Sequence, residues 1–279
     1  TGDPPIPEPT PLTLPGAGTV DDPYRVTTPD ELAQLGWNVS ALNKHYILES
    51  DLDCSGVTLY PIGDKDFLGM FTGTFDGQGH VIRNAVLELA SQSYVGLFSA
   101  LGEGCEIRNL GIEDATITGY SCVGCLAGCV EGSKLTNCYV TGTVTGALYS
   151  KYLGGLVGYM TSVSITDCYS ACAVSGEYKN QYLGSLAGYA KNCILLGCYA
   201  AGEVINGYSY SGGMVGYLSD CAVTSCFAIG AVSGDSTVGG LVGFIQNGTV
   251  AGCYATGDVT GNSGLGGLIG SNGSTITGC

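Results

Sequence analysis

Gly154-Gly155-Leu156-Val157-Gly158 is one copy of a pentapeptide that returns along the chain. One copy precedes it, Gly124-Cys-Leu-Ala-Gly128. Four follow: Gly184-Ser-Leu-Ala-Gly188, Gly212-Gly-Met-Val-Gly216, Gly239-Gly-Leu-Val-Gly243 and Gly266-Gly-Leu-Ile-Gly270. Their spacings are 30, 30, 28, 27 and 27 residues. A second motif keeps step: Asn137-Cys-Tyr139, Asp167-Cys-Tyr169, Gly197-Cys-Tyr199, Ser225-Cys-Phe227, Gly252-Cys-Tyr254 and Gly278-Cys279. Gly96-Leu-Phe98 with Asn109-Leu-Gly111 is an earlier, degenerate copy. A fixed period of this size is the signature of a solenoid.

The repeat unit carries no helical stripe. It divides into short β-type pieces separated by Gly, Asn, Asp or Ser, read here as three strands and three corners per coil. In Thr136–Val144, Cys138, Val140 and Val144 share one parity, while Tyr139, Thr141 and Thr143 share the other. Glu203 and Asp258 occupy the place of Thr143 in later copies, so that parity faces water and the Cys/Val side faces in. Leu135, Ile165, Leu195, Val223, Val250 and Ile276 form a further inward column, three residues before each Cys. The Asn or Asp between is the corner. The expected fold is all-β: a right-handed parallel β-helix of about seven coils, roughly 35 Å long at about 4.8 Å per coil.

Residues 1–18 contain six prolines and read as an extended linker, so an attached N-terminal neighbour is expected. Residues 19–90 read as a cap with irregular first coils, and 91–279 as repeats that stop in mid-motif at Cys279. Thr28-Pro-Asp-Glu31 is a capping box with Pro at the first helical position. It predicts a helix over about 29–40, with Leu32, Leu35, Val39 and Leu42 as an apolar stripe covering the open end of the solenoid.

The net charge is −15, with only nine Lys and Arg and none after Lys191. This balance sets aside nucleic acid and anionic membrane surfaces. No apolar run is long enough to span a bilayer.

Six of the fourteen cysteines (Cys138, Cys168, Cys198, Cys226, Cys253, Cys279) share one inward slot of successive coils. Cys105, Cys193 and Cys221 share another, with Ser133 and Val163 between them. This register favours reduced, buried thiols over the alternative disulfide network. Cys122-x₂-Cys125-x₃-Cys129 has metal-like spacing, but each member replaces a motif residue whose direction the coil already sets, so no metal is expected there. No cofactor is expected either.

Two histidines, His45 and His80, lie outside the repeats, so no Ser/His/Asp or Cys/His set can be assembled within them. The cap holds Asp51, Asp53, Asp76 and His80, which would serve a carbohydrate-active β-helix or a calcium site; the turn reading is preferred for each. The outward Tyr139, Tyr169, Tyr199, Phe227 and Tyr254 form a candidate aromatic ladder. Such a row either binds sugar faces or a protein partner, or lies flat over neighbouring turns.

These residues resemble the GLUG-repeat family of bacterial surface proteins. The resemblance runs from Gly96 to Cys279 through the Gly-Gly-Leu-Val-Gly cores and segments such as Cys253-Tyr-Ala-Thr-Gly-Asp-Val259. Asp22-Pro-Tyr24, Glu31-Leu32, Asp51-Leu-Asp53, Pro61-Ile-Gly63 and Phe71-Thr-Gly-Thr-Phe-Asp-Gly-Gln-Gly-His80 are similar to the segment that commonly precedes such repeats. Cys125 and Ser185 depart from the pattern where it has Gly, as does Cys172. The resemblance implies adhesin-like chains at the cell surface or outside the cell, and non-catalytic parts of immunoglobulin A metalloproteases. It supplies no catalytic residue. The implied partners are glycans, host or cell-surface proteins, and flanking domains of the same chain.

Overall fold

The computed structural model describes residues 11–279, and of Asn206 the backbone alone. Residues 1–10 of the Pro-rich segment lie outside the described residues.

The chain winds into a parallel β-solenoid of about eight turns, slightly more than the period alone suggested. Its strands fall into two long sheets of 14 and 15 strands. Register follows the repeat. Leu135 pairs with Ile165, Ile165 with Leu195, Leu195 with Val223, Val223 with Val250 and Val250 with Ile276. Cys138, Val140 and Val144 are buried while Thr143 is exposed, so the expected parity holds. Apolar columns from both sheets meet in one continuous core along the bore.

Several coils contain four strand segments rather than three, whereas the coil of Val215–Thr224, Phe227–Ala228 and Val232–Gly239 keeps the expected three. In one coil the four are Ala127–Glu131 and Lys134–Thr136 in one sheet, then Tyr139–Gly146 and Lys151–Gly154 in the other. The extra break has a backbone cause: left-handed residues interrupt the chain at more than one place per turn. Asn109, Asn137, Asp167 and Ser225 all have φ of 52–53°, and Gly197, Gly252 and Gly278 continue the column. Asn and Asp tolerate this region better than most residues. A further column, Tyr94, Cys122, Tyr152, Tyr182, Tyr210 and Thr237, is also left-handed.

The N-terminal helix is shorter than expected, spanning only Pro29–Ala33. Its capping box is present: Glu31 N–H donates to Thr28 Oγ1 (3.3 Å) and Thr28 N–H donates to Glu31 Oε2 (3.1 Å). Gln34 caps the run, and Gly36 follows where a side chain has no room, since a Cβ there would lie 2.7 Å from the Tyr60 carbonyl oxygen. Trp37 then turns left-handed and its N–H donates to Pro61 O (2.9 Å). The chain resumes as a 3₁₀ turn, Val39–Ala41. Leu32, Leu35 and Leu42 are buried as expected, but Val39 points to solvent.

The first rung, Tyr24–Val26, pairs with His45–Leu48 on its inner side. On its other side Arg25 N–H donates to Pro15 O (2.9 Å), and Leu14 is buried in the core. The chain before this rung therefore satisfies part of an edge that would otherwise be open.

Candidate functional site: two aromatic faces and a lateral cleft

Residues at one place in the repeat pair in register on successive rungs, and strands lie about 4.8 Å apart. A column of aromatic residues is thereby held at ring-stacking distance. Tyr139, Tyr169, Tyr199, Phe227 and Tyr254 do stack, with centroids 4.8, 4.5, 5.0 and 5.0 Å apart and planes 7, 9, 2 and 1° from parallel. The rings face outward, but each interior ring has both faces occupied by its neighbours. What the column offers to solvent is a strip of ring edges and hydroxyls. Tyr254, at one end, is half exposed. At the other end Tyr139 donates its hydroxyl to Glu113 Oε1 (2.7 Å), and burial together with that carboxylate pushes its pKa up to about 12.

A second aromatic face was not singled out from the sequence. Tyr159, Tyr189, Tyr217 and Phe244 stack with centroids 5.1, 5.1 and 4.9 Å apart. Beside them Tyr152, Tyr182 and Tyr210 stack at 5.0 and 5.1 Å. The two columns meet edge to face, Tyr152 against Tyr159 at 5.4 Å and 74°. The signal was present in the sequence: an aromatic residue directly follows the last Gly of four cores, and Tyr lies two residues before the first Gly of three.

In the coil of Gly124 these two places are held by Cys122 and Cys129. Lys65, from the cap, reaches across this gap. Its ammonium lies 3.1 Å from Cys129 Sγ, pairs with Glu131, and sits 5.3 Å from the Tyr94 ring centroid. Burial still dominates the thiols, raising Cys129 to about 11 and Cys122 to about 12. The three sulfurs of the Cys122–Cys129 segment do not share one contact set, because Cys125 turns into the core against Cys172. Among the described residues no group of three His, Cys, Asp or Glu is arranged to hold a metal ion.

The cap carboxylates fall into separate networks. Asp51 binds His80 Nδ1 (3.1 Å), Arg83 Nη1 (3.1 Å) and Val81 N–H (3.2 Å), and its pKa is lowered by these contacts, His80 first. Asp53 accepts from the Ser55 hydroxyl and N–H and from Asn84 Nδ2 (2.8 Å), which bring it down to about 2. Asp76 accepts from Gln78 N–H (2.9 Å), Arg108 Nε (2.9 Å) and Asn109 Nδ2 (3.1 Å), on the other sheet. Of the four cap residues, only Asp51 and His80 are brought into contact. Asp53 and Asp76 each cap a local turn, a role Asp favours through its own side chain.

One lateral cleft of about 510 Å³ runs across four coils. Gly207, Gly234 and Gly261 line it together with Tyr178, Tyr208, Asp235 and Asn262. Lys179 stands between the two tyrosines, its ammonium 5.3 and 5.8 Å from their ring centroids. Asn262 Nδ2 donates to Asp235 Oδ1 (2.6 Å).

Comparison with known proteins agrees with this architecture. The family model of the GLUG motif matches residues 119–145 and 234–260. Halomucin from Haloquadratum walsbyi is 36% identical over 149 residues, 51% of this chain but 2% of Halomucin. A candidate Gly-rich membrane protein from Evansella cellulosilytica is 31% identical over 109 residues, 37% of this chain and 12% of that protein. The chain thus spans a small fraction of the curated relatives it matches. A solved structure, a candidate immunoglobulin A1 protease from Bacteroides ovatus, superposes over 95% of this chain and 76% of its own with a TM-score of 0.62 at 21% identity. That likeness is one of fold. The chain is a parallel β-solenoid whose coils carry the GLUG motif.

Proposed function

We propose that the chain is a non-catalytic structural and adhesive module of a cell-surface or secreted protein. The observation that carries this reading is the pair of aromatic faces running in register along the rod. A solenoid repeats one surface at every rung, which suits contact with an extended partner better than chemistry at one point. The names of the relatives, Halomucin and a Gly-rich membrane protein, support a place at the cell envelope.

In this reading Leu14 and Pro15 belong with the cap of residues 19–90, against whose first rung they pack, and 91–279 are the displayed repeats. The Tyr139–Tyr254 column offers edges and hydroxyls to a host or cell-surface protein. The cleft offers the exposed rings of Tyr178 and Tyr208, with Asp235 and Asn262 as hydrogen-bonding groups, to a glycan chain. Its four coils span about 14 Å from first rung to last, enough for a short run of sugar rings.

The test is binding of the chain to immobilised glycans and to surface-protein extracts. Changing Tyr139, Tyr169, Tyr199 and Tyr254 together to Ser should abolish protein attachment. Tyr178→Ala with Tyr208→Ala should abolish glycan attachment. Binding unaltered in both variants removes the adhesive role. Turnover of acidic polysaccharides that disappears in Asp76→Asn or His80→Ala would overturn the non-catalytic reading.

A further inference from the structure

The repeat has two places where glycine is the rule and the chain departs from it by cysteine. Cys125 takes the second glycine of the core pentapeptide, and Cys172 takes the glycine three residues after the Cys-Tyr motif's tyrosine. Each column holds one cysteine, and the first departs from glycine once more, at Ser185. The first column reads Cys125, Gly155, Ser185, Gly213, Gly240 and Gly267; the second reads Gly142, Cys172, Gly202, Gly230 and Gly257.

The two exceptions lie in neighbouring coils and touch: Cys125 Sγ is 3.3 Å from Cys172 Sγ, both fully buried, across 47 residues of sequence. Glycine makes the room. A Cβ on Gly155, the residue after Cys125 in its column, would lie 2.9 Å from Cys172 Cβ. Cysteine in one column is thus matched by glycine in the other, coil by coil, and the two sulfurs share the diagonal gap. The other inward cysteines meet within a single column, as Cys138 meets Cys168 and Cys193 meets Cys221, whereas Cys125 and Cys172 meet across two columns. Cys138, Cys168, Cys198, Cys226 and Cys253 also donate to the backbone carbonyl two residues before them, such as Thr136 O and Thr166 O.

We infer that Cys125 and Cys172 are a disulfide-forming pair, a covalent staple between two adjacent coils of the solenoid. Closing from contact to a bond of about 2.05 Å needs a movement of only about 1.3 Å shared by two side chains. The oxidant is a small-molecule or protein disulfide. One thiolate attacks it to give a mixed disulfide, and the second thiolate displaces the leaving thiol. Two protein thiols and one external disulfide become one protein disulfide and two external thiols. The mutual hydrogen bond and complete burial raise the Cys125 thiol well above its ordinary value, so the folded pair exchanges slowly. Oxidation belongs to folding, before the two coils close over it.

The test is a thiol map of the full chain refolded in a mixture of reduced and oxidised glutathione. The protein is denatured without reductant, alkylated, digested and analysed by mass spectrometry. The expected result is a single cross-linked peptide pair joining Cys125 to Cys172, with two fewer free thiols than the fourteen cysteines. Reduction should lower the melting temperature by about 5–10 °C, because the bridge closes a long loop. Cys125→Ser and Cys172→Ser should each lose the cross-linked peptide and the redox dependence of melting. Fourteen free thiols after refolding overturn the inference. So does a bridge that joins other cysteines. The wild-type map decides the matter even if a serine variant fails to fold.

Discussion

The ring of Tyr169 lies on that of Tyr199 with centroids 4.5 Å apart and planes 9° from parallel, and the two residues are direct partners across the sheet. The ring spacing follows the rung spacing, so the backbone pays no distortion to stack them. Tyr199 has a second ring, Phe227, on its other face at 5.0 Å. Tyr254 stacks on Phe227 alone and is half exposed. The column is therefore part of the fold as well as of the surface. Tyr199→Ser, which removes two stacked contacts, should cost about 1–3 kcal/mol, and Tyr254→Ser about half of that. Urea midpoints of the two variants measure the difference. Equal and negligible losses would show that the rings contribute singly to solvent and not to each other.

The corner before each inward cysteine makes a second prediction. Asn137 has φ of 52°, and its side-chain amide donates to Asn109 Oδ1 (3.0 Å) in the preceding coil. Gly197 and Gly252 show that glycine serves the same place. Asn137→Gly should change stability by only a few tenths of a kcal/mol beyond the lost side-chain bond, whereas Asn137→Val should cost about 1–2 kcal/mol. Thermal melts of both variants provide the check. A Val variant as stable as the Gly variant would mean that the corner relaxes to another backbone conformation.

These columns explain what was legible in the sequence. A strict period places residues such as Leu135 and Ile165 in register, and parity then decides which side faces the bore. The inward cysteines and the Tyr139–Tyr254 ladder follow from that logic. Local signals were less informative in the cap, where no period constrains the path. Thr28 and Glu31 did form their capping box, but the helix stops at Ala33, Gly36 packs close against Tyr60, and Val39 faces outward. The Tyr159 and Tyr152 columns had the same period as the rest. Their significance lay in the meeting of two positions seven residues apart in one unit, which depends on how the chain turns between them.

The cap should also be the acid-sensitive part of the molecule. Asp53 titrates near 2 in the folded chain because of Ser55 and Asn84, and Asp51 is lowered by His80 and Arg83. Both folded values lie below the ordinary carboxylate value. Their stabilisation is therefore complete above about pH 4 and is lost as pH falls from about 4 towards 2. Trp37, the one tryptophan of the chain, is buried in the same region and reports on it. Its emission should shift to the red over that window, and Asp53→Asn should weaken the dependence. Emission that stays constant to pH 2 would show that these contacts do not hold the cap.

Thiol reactivity gives the last prediction. Thirteen cysteines are buried, and Cys279 alone is exposed. Burial raises Cys122 to about 12 and Cys129 to about 11, the latter in spite of the adjacent Lys65 ammonium, so these two supply few thiolates at pH 8, and the other inward thiols are shielded by burial. A thiol reagent added to the native chain should titrate a single fast group, and Cys279→Ser should remove that phase. The remaining reactive thiols should appear only in denaturant, at a rate set by opening of the coils and not by reagent concentration. The order of their appearance would then map which coils open first, because the Cys138–Cys279 column places one cysteine per turn. Several fast thiols in the native chain would mean that the inward columns are open to solvent, and the parity on which the whole core rests would be wrong.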